Sequence, residues 1–288
     1  MSFNYICHNG NFIDGDGVTL SHKNRAFCYG DALFETIHCL GTEPQFFDNH
    51  WIRLSAGMKI LKMIPDKDFT KETAVHQIGK LLNKNRIFKG ARIRLTAYRN
   101  EGGLYTPEGN SVSFLIESSP LVEEQYTLNK KGLSVDIFDN VHKPVNILSN
   151  LKTANALIYV LAGLYRKENG LDECLILNQY GRVAESVSSN IFLVKDEKIV
   201  TPPLTEGCIA GTMRQNIIQL ATRSGYLTEE RALIETQLLD ADEVFITNAI
   251  QGLQWIGAYK DRRYYNFVSR KLIAALNTYT FRGKSLTD

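Results

Sequence analysis

Lys152 lies in "SNLKTANALIYV" (149–160), a single basic side chain among small and apolar ones. Leu157, Val160, Leu161 and Leu164 follow it at helical spacing. A lysine held in partly desolvated surroundings loses proton affinity and can serve as an amine nucleophile or base. Thirty-three positions on, Glu185 precedes Ser186, Ser188 and Ser189 in "GRVAESVSSNIF" (181–192). A carboxylate followed by small residues allows close approach of a ligand to a strand end. Next, "EGCIAGTMRQNIIQL" (206–220) runs a glycine turn into a helix start, whose amides and dipole favour a phosphate. Gly211, ahead of Thr212 and Met213, supplies the close approach. Neither GxxxxGK[ST] nor a strand followed by GxGxxG occurs, which argues against nucleotide chemistry.

Each feature alone fits a bland reading: a solvated lysine, a polar loop, an ordinary helix start. Together, an amine, a carboxylate and a phosphate cradle are the protein-side requirements of pyridoxal 5′-phosphate (PLP). The lysine forms the Schiff base, and the acid keeps the pyridine nitrogen protonated so that the ring accepts electrons. No metal is expected. The five cysteines show no CxxC, and the histidines no HExxH or similar ligand spacing, so neither disulfides nor structural zinc are predicted.

These residues need elements to position them. The first ~118 residues read as α+β. "YICHNGNFID" alternates around Asn9-Gly10, a hairpin signal, and "LFETIHCL-GTEP-QFF" reads as a second hairpin. Apolar residues at 51, 54, 58 and 61 predict a helix capped by Asp48 or Asn49. A second helix follows around "KETAVHQIGKLLNKN", then strands "ARIRLTAYR" and "SVSFLIESS". Residues 119–131 lose periodicity, which places the domain link there. Strands "LSVDIF", "ECLILN", "NIFLV", "KIVT" and "EVFITN" then mix with two helices, Thr153 to Lys167 and Thr212 to just before Gly225. The expected domains are 1–120 (small, N-terminal, α/β), a linker at 121–131, and 132–288 (larger, mixed sheet, PLP-binding).

A net charge of +2 gives no reason to expect nucleic acid or an acidic membrane as a partner. No stretch has the apolar length of a membrane helix, and "MSFNYICHNG" lacks a signal-peptide layout, so a cytoplasmic protein is expected.

The order Lys152, Glu185, Gly211-Thr212-Met213-Arg214, with "ESVSSNIF" between, resembles the fold-type IV PLP enzymes, the class IV aminotransferases. That family comprises branched-chain and D-amino acid aminotransferases and 4-amino-4-deoxychorismate lyase. "NRAFCYGDALFET" (24–36) is similar to the family's first-hairpin motif, "HWIRL" (50–54) to the helix bearing its phosphate-binding arginine, and "DEVFITNAIQG" (242–252) to its late strand. The resemblance implies a two-domain, D-amino acid aminotransferase-like fold and a homodimer acting on small amino acid and oxo acid substrates. It implies that Lys152 is the Schiff-base lysine and moves the substrate α-proton, and that Glu185, followed by Ser186, pairs with the pyridine nitrogen. Arg53, Gly211, Thr212 and Met213 would hold the phosphate, helped by Asn248-Ala249. Tyr29 and Phe34 would line the substrate side, and Arg94 would bind the substrate carboxylate.

Within the family, Asn155 falls three residues after Lys152, as in the lyase and D-amino acid aminotransferase patterns, and no tyrosine occupies 156 or 157. "TAYRNEGGLYTP" (96–107) is most similar to a lyase loop, yet Leu104 stands where the lyase pattern carries a second arginine. The Arg-x-His trap of D-amino acid enzymes does not follow Gly103. The expectation is an aminotransferase for branched-chain or apolar amino acids, with the lyase as the alternative.

Overall fold

A computed structural model describes residues 4–17 and 20–281. Two compact units divide the chain: Met1–Gln125 with Leu151–Asn155, and Tyr126–Asn150 with Ala156–Asp288.

The first unit runs β1 Tyr5–His8, β2 Asn11–Asp14, α1 Arg25–Tyr29, β3 Ala32–Leu40, β4 Glu43–Pro44, α2 Phe47–Ile60, α3 Lys71–Lys84, β5 Gly90–Arg99 and β6 Val112–Pro120. Its six strands form an antiparallel sheet in the order β2-β1-β6-β5-β3-β4. Asn9 and Gly10, both at positive φ, form the expected two-residue turn between β1 and β2. In β3 the inward set Leu33, Glu35, Ile37 and Cys39 is buried, so one carboxylate lies on an otherwise apolar face. Two expectations change here. The return strand of the second hairpin is only Glu43–Pro44, because Phe47 already begins α2. The cap of α2 is Phe46, in the left-handed conformation and without a side-chain bond, while Asp48 sits in the first turn, where its charge suits the helix dipole. α3 begins with a Thr70–Thr73 capping box and buries Ala74, Ile78, Leu81 and Leu82.

The second unit runs β7 Leu133–Lys143, α4 Leu157–Glu168, β8 Glu173–Asn178, β9 Val183–Ser186, β10 Asn190–Lys195, β11 Lys198–Thr201, α5 Thr212–Arg223, β12 Leu227–Glu230, α6 Glu235–Asp240, β13 Glu243–Asn248, β14 Gly252–Tyr259, β15 Arg262–Arg263 and α7 Phe267–Phe281. Its nine-stranded sheet has the order β12-β11-β10-β13-β14-β7-β8-β9, with β15 on β14. The pairs β11–β12, β14–β7 and β7–β8 are parallel and the others antiparallel. β8, β9 and β10 are buried almost throughout, as strands covered on both faces must be.

The helix expected from Thr153 starts four residues later, at Leu157. The backbone before it is already committed to the first unit. Ala154 N donates to Ala32 O, Phe34 N donates to Lys152 O, and Thr153 bridges Leu33. Amides bonded to a strand cannot also enter a helix. Lys152 therefore lies on an extended segment against β3, not at a helix head, and Leu151–Asn155 packs with the first unit despite its place in sequence.

Candidate functional site

In the first unit, Lys152, Phe34 and Arg94 come together. Lys152 Nζ stands 4.5 Å from the centre of the Phe34 ring, and the Arg94 guanidinium stands 3.9 Å from it. β3 supplies Phe34, and its neighbour β5 places Arg94 opposite Thr36. Arg94 reaches Glu117 only at 4.0 Å, a loose pairing that leaves its charge available to an incoming carboxylate. Tyr29, on α1, packs against Tyr105 and under the Arg25 guanidinium. Gly30 follows at φ +64, and a Cβ there would come within 2.8 Å of Asn155 Oδ1. Asn155 Nδ2 donates to Gly30 O, so glycine at position 30 lets the segment after Lys152 close on α1.

Arg53 projects from α2 onto Glu35. Its Nε donates to Glu35 Oε1 at 2.8 Å, one Nη donates to Oε2, and His50 Nδ1 donates to Oε2 at 2.6 Å. Burial alone would raise the Glu35 carboxyl, but the Arg53 charge and the bonds from His50 and Arg53 outweigh it and hold it at about 2. Burial lowers the proton affinity of His50 and keeps the ring neutral, against the pull of Glu35; the Lys152 charge adds to the lowering. A bidentate carboxylate thus fixes the plane of the arginine fork. Glu35 and His50 escaped the motif reading. The signals were a glutamate in register with buried Leu33 and Ile37, and a histidine on the Leu54–Met58 face of α2.

In the second unit, Glu185 lies on β9 and is 2 % exposed. Its Oε1 accepts from Lys143 Nζ and from Tyr159 Oη (2.7 Å), and its Oε2 accepts from Ile209 N (2.8 Å). Ser186 is buried beside it, its N–H donating to Ser189 O. The Ile209 bond ties the carboxylate to the loop that leads into α5. Asn190 Nδ2 grips the same loop at Ile209 O, and a Cβ on Gly211 would run into Asn190 Oδ1. A side chain at position 211 would have to displace the Asn190 amide, so glycine lets that amide and the loop before α5 pack together. Thr212 and Met213 follow in the first turn, both buried. Asn248 spends its side chain internally. Nδ2 donates to Ser189 Oγ and Gln251 Oε1, while Oδ1 accepts from Ile250 N and Gln251 N. It shapes the turn that presents Ala249, whose carbonyl accepts from Tyr126 Oη. Among the described residues no cluster of His, Cys, Asp or Glu could hold a metal, and no helix is long and apolar enough to cross a membrane.

Taken unit by unit, the residues fit what PLP requires: an oriented arginine and an amine beside an aromatic ring in the first, and a buried carboxylate with a lone pair for a ring N–H beside a helix start in the second. The partners of Glu185 are the clearest structural sign, because its Oε2 accepts from Ile209 N and keeps a lone pair for a ring N–H. The fold is that of the fold-type IV PLP enzymes. It superposes on the branched-chain aminotransferase of Thermoproteus uzoniensis, crystallised with norvaline, with a TM-score of 0.87 at 21% identity, covering 95% of this chain and 93% of that one. Residues 32–259 match the model of the family described as amino-transferase class IV, and the chain belongs to that family. It is therefore a PLP-dependent enzyme. A Methanocaldococcus jannaschii protein named as a branched-chain-amino-acid aminotransferase is 31% identical over 248 residues, covering 83% of this chain and 82% of that protein. The aminodeoxychorismate lyase of Vibrio harveyi is 27% identical over 232 residues, covering 80% and 83%.

Proposed function

We propose that this enzyme is an aminotransferase that moves an amino group between an apolar or branched-chain amino acid and a 2-oxo acid. When bound, the cofactor supplies an electron sink for the carbanion left when the substrate loses its α-proton. Lys152 Nζ would hold the cofactor covalently until the substrate's amine displaces it, and the amine so freed would accept and return the α-proton. Phe34 screens Lys152 on one side, which keeps the amine in partly apolar surroundings. Glu185 takes the ring N–H. Arg53, with the backbone of Gly211, Thr212, Met213 and Ala249, holds the phosphate. Arg94 takes the substrate carboxylate, with Tyr29 and Phe34 lining the pocket.

The supporting observation is how the neighbouring arginines are spent. Arg25 donates to Asp31 and to the carbonyls of Gly102, Gly103 and Leu104. Arg99 donates to Asp31, to Asn110 and to the carbonyl of Leu61. Of these three arginines Arg94 is the least engaged, with a 4.0 Å pairing to Glu117, while the loop that Arg25 fixes presents Leu104 (75 % exposed) and Tyr105 (90 % exposed). One cation and an apolar loop tip suit a monocarboxylic amino acid with an apolar side chain.

Asn155 supports a second reading, 4-amino-4-deoxychorismate lyase, since it sits three residues after Lys152 and anchors to Gly30 O. The two activities separate when the absorption spectrum is followed with L- and D-amino acids and with 4-amino-4-deoxychorismate. Spectral bleaching by apolar amino acids, reversed by 2-oxo acids, supports the aminotransferase. Release of pyruvate and 4-aminobenzoate without an oxo acid refutes it in favour of the lyase.

We infer a cytoplasmic homodimer. The homodimer's support is the outer face of α4, where Leu157 (78 % exposed), Val160, Leu161 and Leu164 form an apolar stripe. A stripe of this kind on one chain calls for a partner, and a second copy supplies the same surface in return.

A further inference from the structure

Lys143 closes β7 as a buried lysine, and no sequence motif or assigned role accounts for it. It forms an ion pair with Glu185 and lies 5.4 Å from the centre of the Tyr159 ring, whose hydroxyl bonds the same carboxylate oxygen. A carboxylate offers about four lone-pair positions. Three are filled: Lys143 and Tyr159 on Oε1, and Ile209 N on Oε2. One position, on Oε2, has no donor among the described residues.

We propose that Lys143 is a positioning residue that fixes the Glu185 carboxylate with its one open lone pair, on Oε2, aimed at the ring nitrogen of the cofactor. The inference rests on the pairing of Glu185 with that nitrogen. A buried carboxylate needs partners for its lone pairs, and those partners decide which lone pair stays open to a ligand. Tyr159 is a neutral donor, because burial and the Glu185 charge push its hydroxyl far above the usual tyrosine range. Cys208, close to the same carboxylate, is pushed up to about 12 by burial and then by Glu185, so it stays a neutral thiol. Of the charges around Cys208 and Glu185, Arg214 is engaged elsewhere, with Glu230 and Pro202 O. Lys143 is thus the cation bonded directly to Glu185. It fills Oε1, so the ring nitrogen must use Oε2, on the side of Ile209 and the loop that leads to Gly211. The ring and phosphate contacts are thereby set by one connected piece of backbone.

The test is the pH titration of visible absorbance in the PLP-reconstituted protein, whose midpoint reports the charge around the ring. Borohydride reduction of the wild type followed by peptide mass analysis must first place the cofactor on Lys152, and Glu185→Gln must move the midpoint. If either fails, the underlying cofactor assignment fails and takes this inference with it. With both established, removing the cation in Lys143→Met favours the protonated form, so the midpoint rises by about one unit. Lys143→Arg restores it to within a few tenths. A Lys143→Met midpoint equal to wild type overturns the inference while leaving the cofactor assignment intact. Should Lys143→Met not accumulate as folded protein, Tyr159→Phe decides. It removes one donor and no charge; a rise of roughly 0.3 unit supports the shared-carboxylate geometry, and an unchanged midpoint overturns it.

Discussion

Replacing Glu35 by glutamine removes the carboxylate that Arg53 grips and leaves a largely buried guanidinium facing a neutral amide. Two routes give the cost. The carboxyl is held at about 2 against a usual 4.5, and at ~1.4 kcal/mol per unit this is about 3 kcal/mol of folding stability. Breaking a buried ion pair from one side costs ~3–5 kcal/mol by general experience, which agrees. Because the folded value lies below the unfolded one, this stabilisation is complete above pH 4.5 and is lost as pH falls towards 2. His50 acts in the same sense: burial depresses its proton affinity in the folded state, so the unfolded chain takes up a proton first as pH drops below 6.5. Urea denaturation at pH 7 and at pH 3, followed by the fluorescence of Trp51 on α2 in a Trp255→Phe background, measures both effects. The expected result is a Glu35→Gln loss of about 3 kcal/mol at pH 7 that narrows sharply at pH 3. A loss below ~1 kcal/mol at pH 7, or a gap of the same size at both pH values, refutes the reasoning.

Further outcomes follow from the other halves of the site. Lys152→Ala should abolish turnover while the protein still binds PLP noncovalently, so that borohydride no longer fixes the cofactor; full activity in this variant would remove Lys152 from its role. Gly211→Ala keeps an ordinary backbone conformation but drives a methyl into Asn190 Oδ1, so it should cost ~1–3 kcal/mol and weaken PLP binding, measured by titration of the apoprotein. Wild-type affinity would show that the start of α5 holds no phosphate. Leu161→Glu places a charge in the exposed α4 stripe and should yield monomers by light scattering, whereas an unchanged mass would put the dimer face elsewhere.

Local rules account for much of this protein. Asn9-Gly10 specified its hairpin because both residues tolerate positive φ, and the apolar spacing of 74, 78, 81 and 82 specified α3. The series Lys152, Glu185, Gly211-Thr212-Met213 pointed to the cofactor because an amine, a carboxylate and a bare helix start are rare together and each is chemically explicit. Long-range pairing settled the rest. Lys152 reads as a helix head in its own neighbourhood; the bonds Phe34 N to Lys152 O and Ala154 N to Ala32 O, from a strand more than a hundred residues away, hold its segment extended against β3. Periodicity gives the α4 stripe as an apolar helix face without saying what it meets, and the folded chain shows Leu157 and Leu161 facing outward. Lys143 and Tyr159 carry no motif, because their role arises from one carboxylate that three separate segments reach at once. Residue types and spacing state which chemistry a chain can hold. Which charges meet, and which are already spent on one another, depends on contacts between residues far apart in sequence, and those exist only once the sheets have formed.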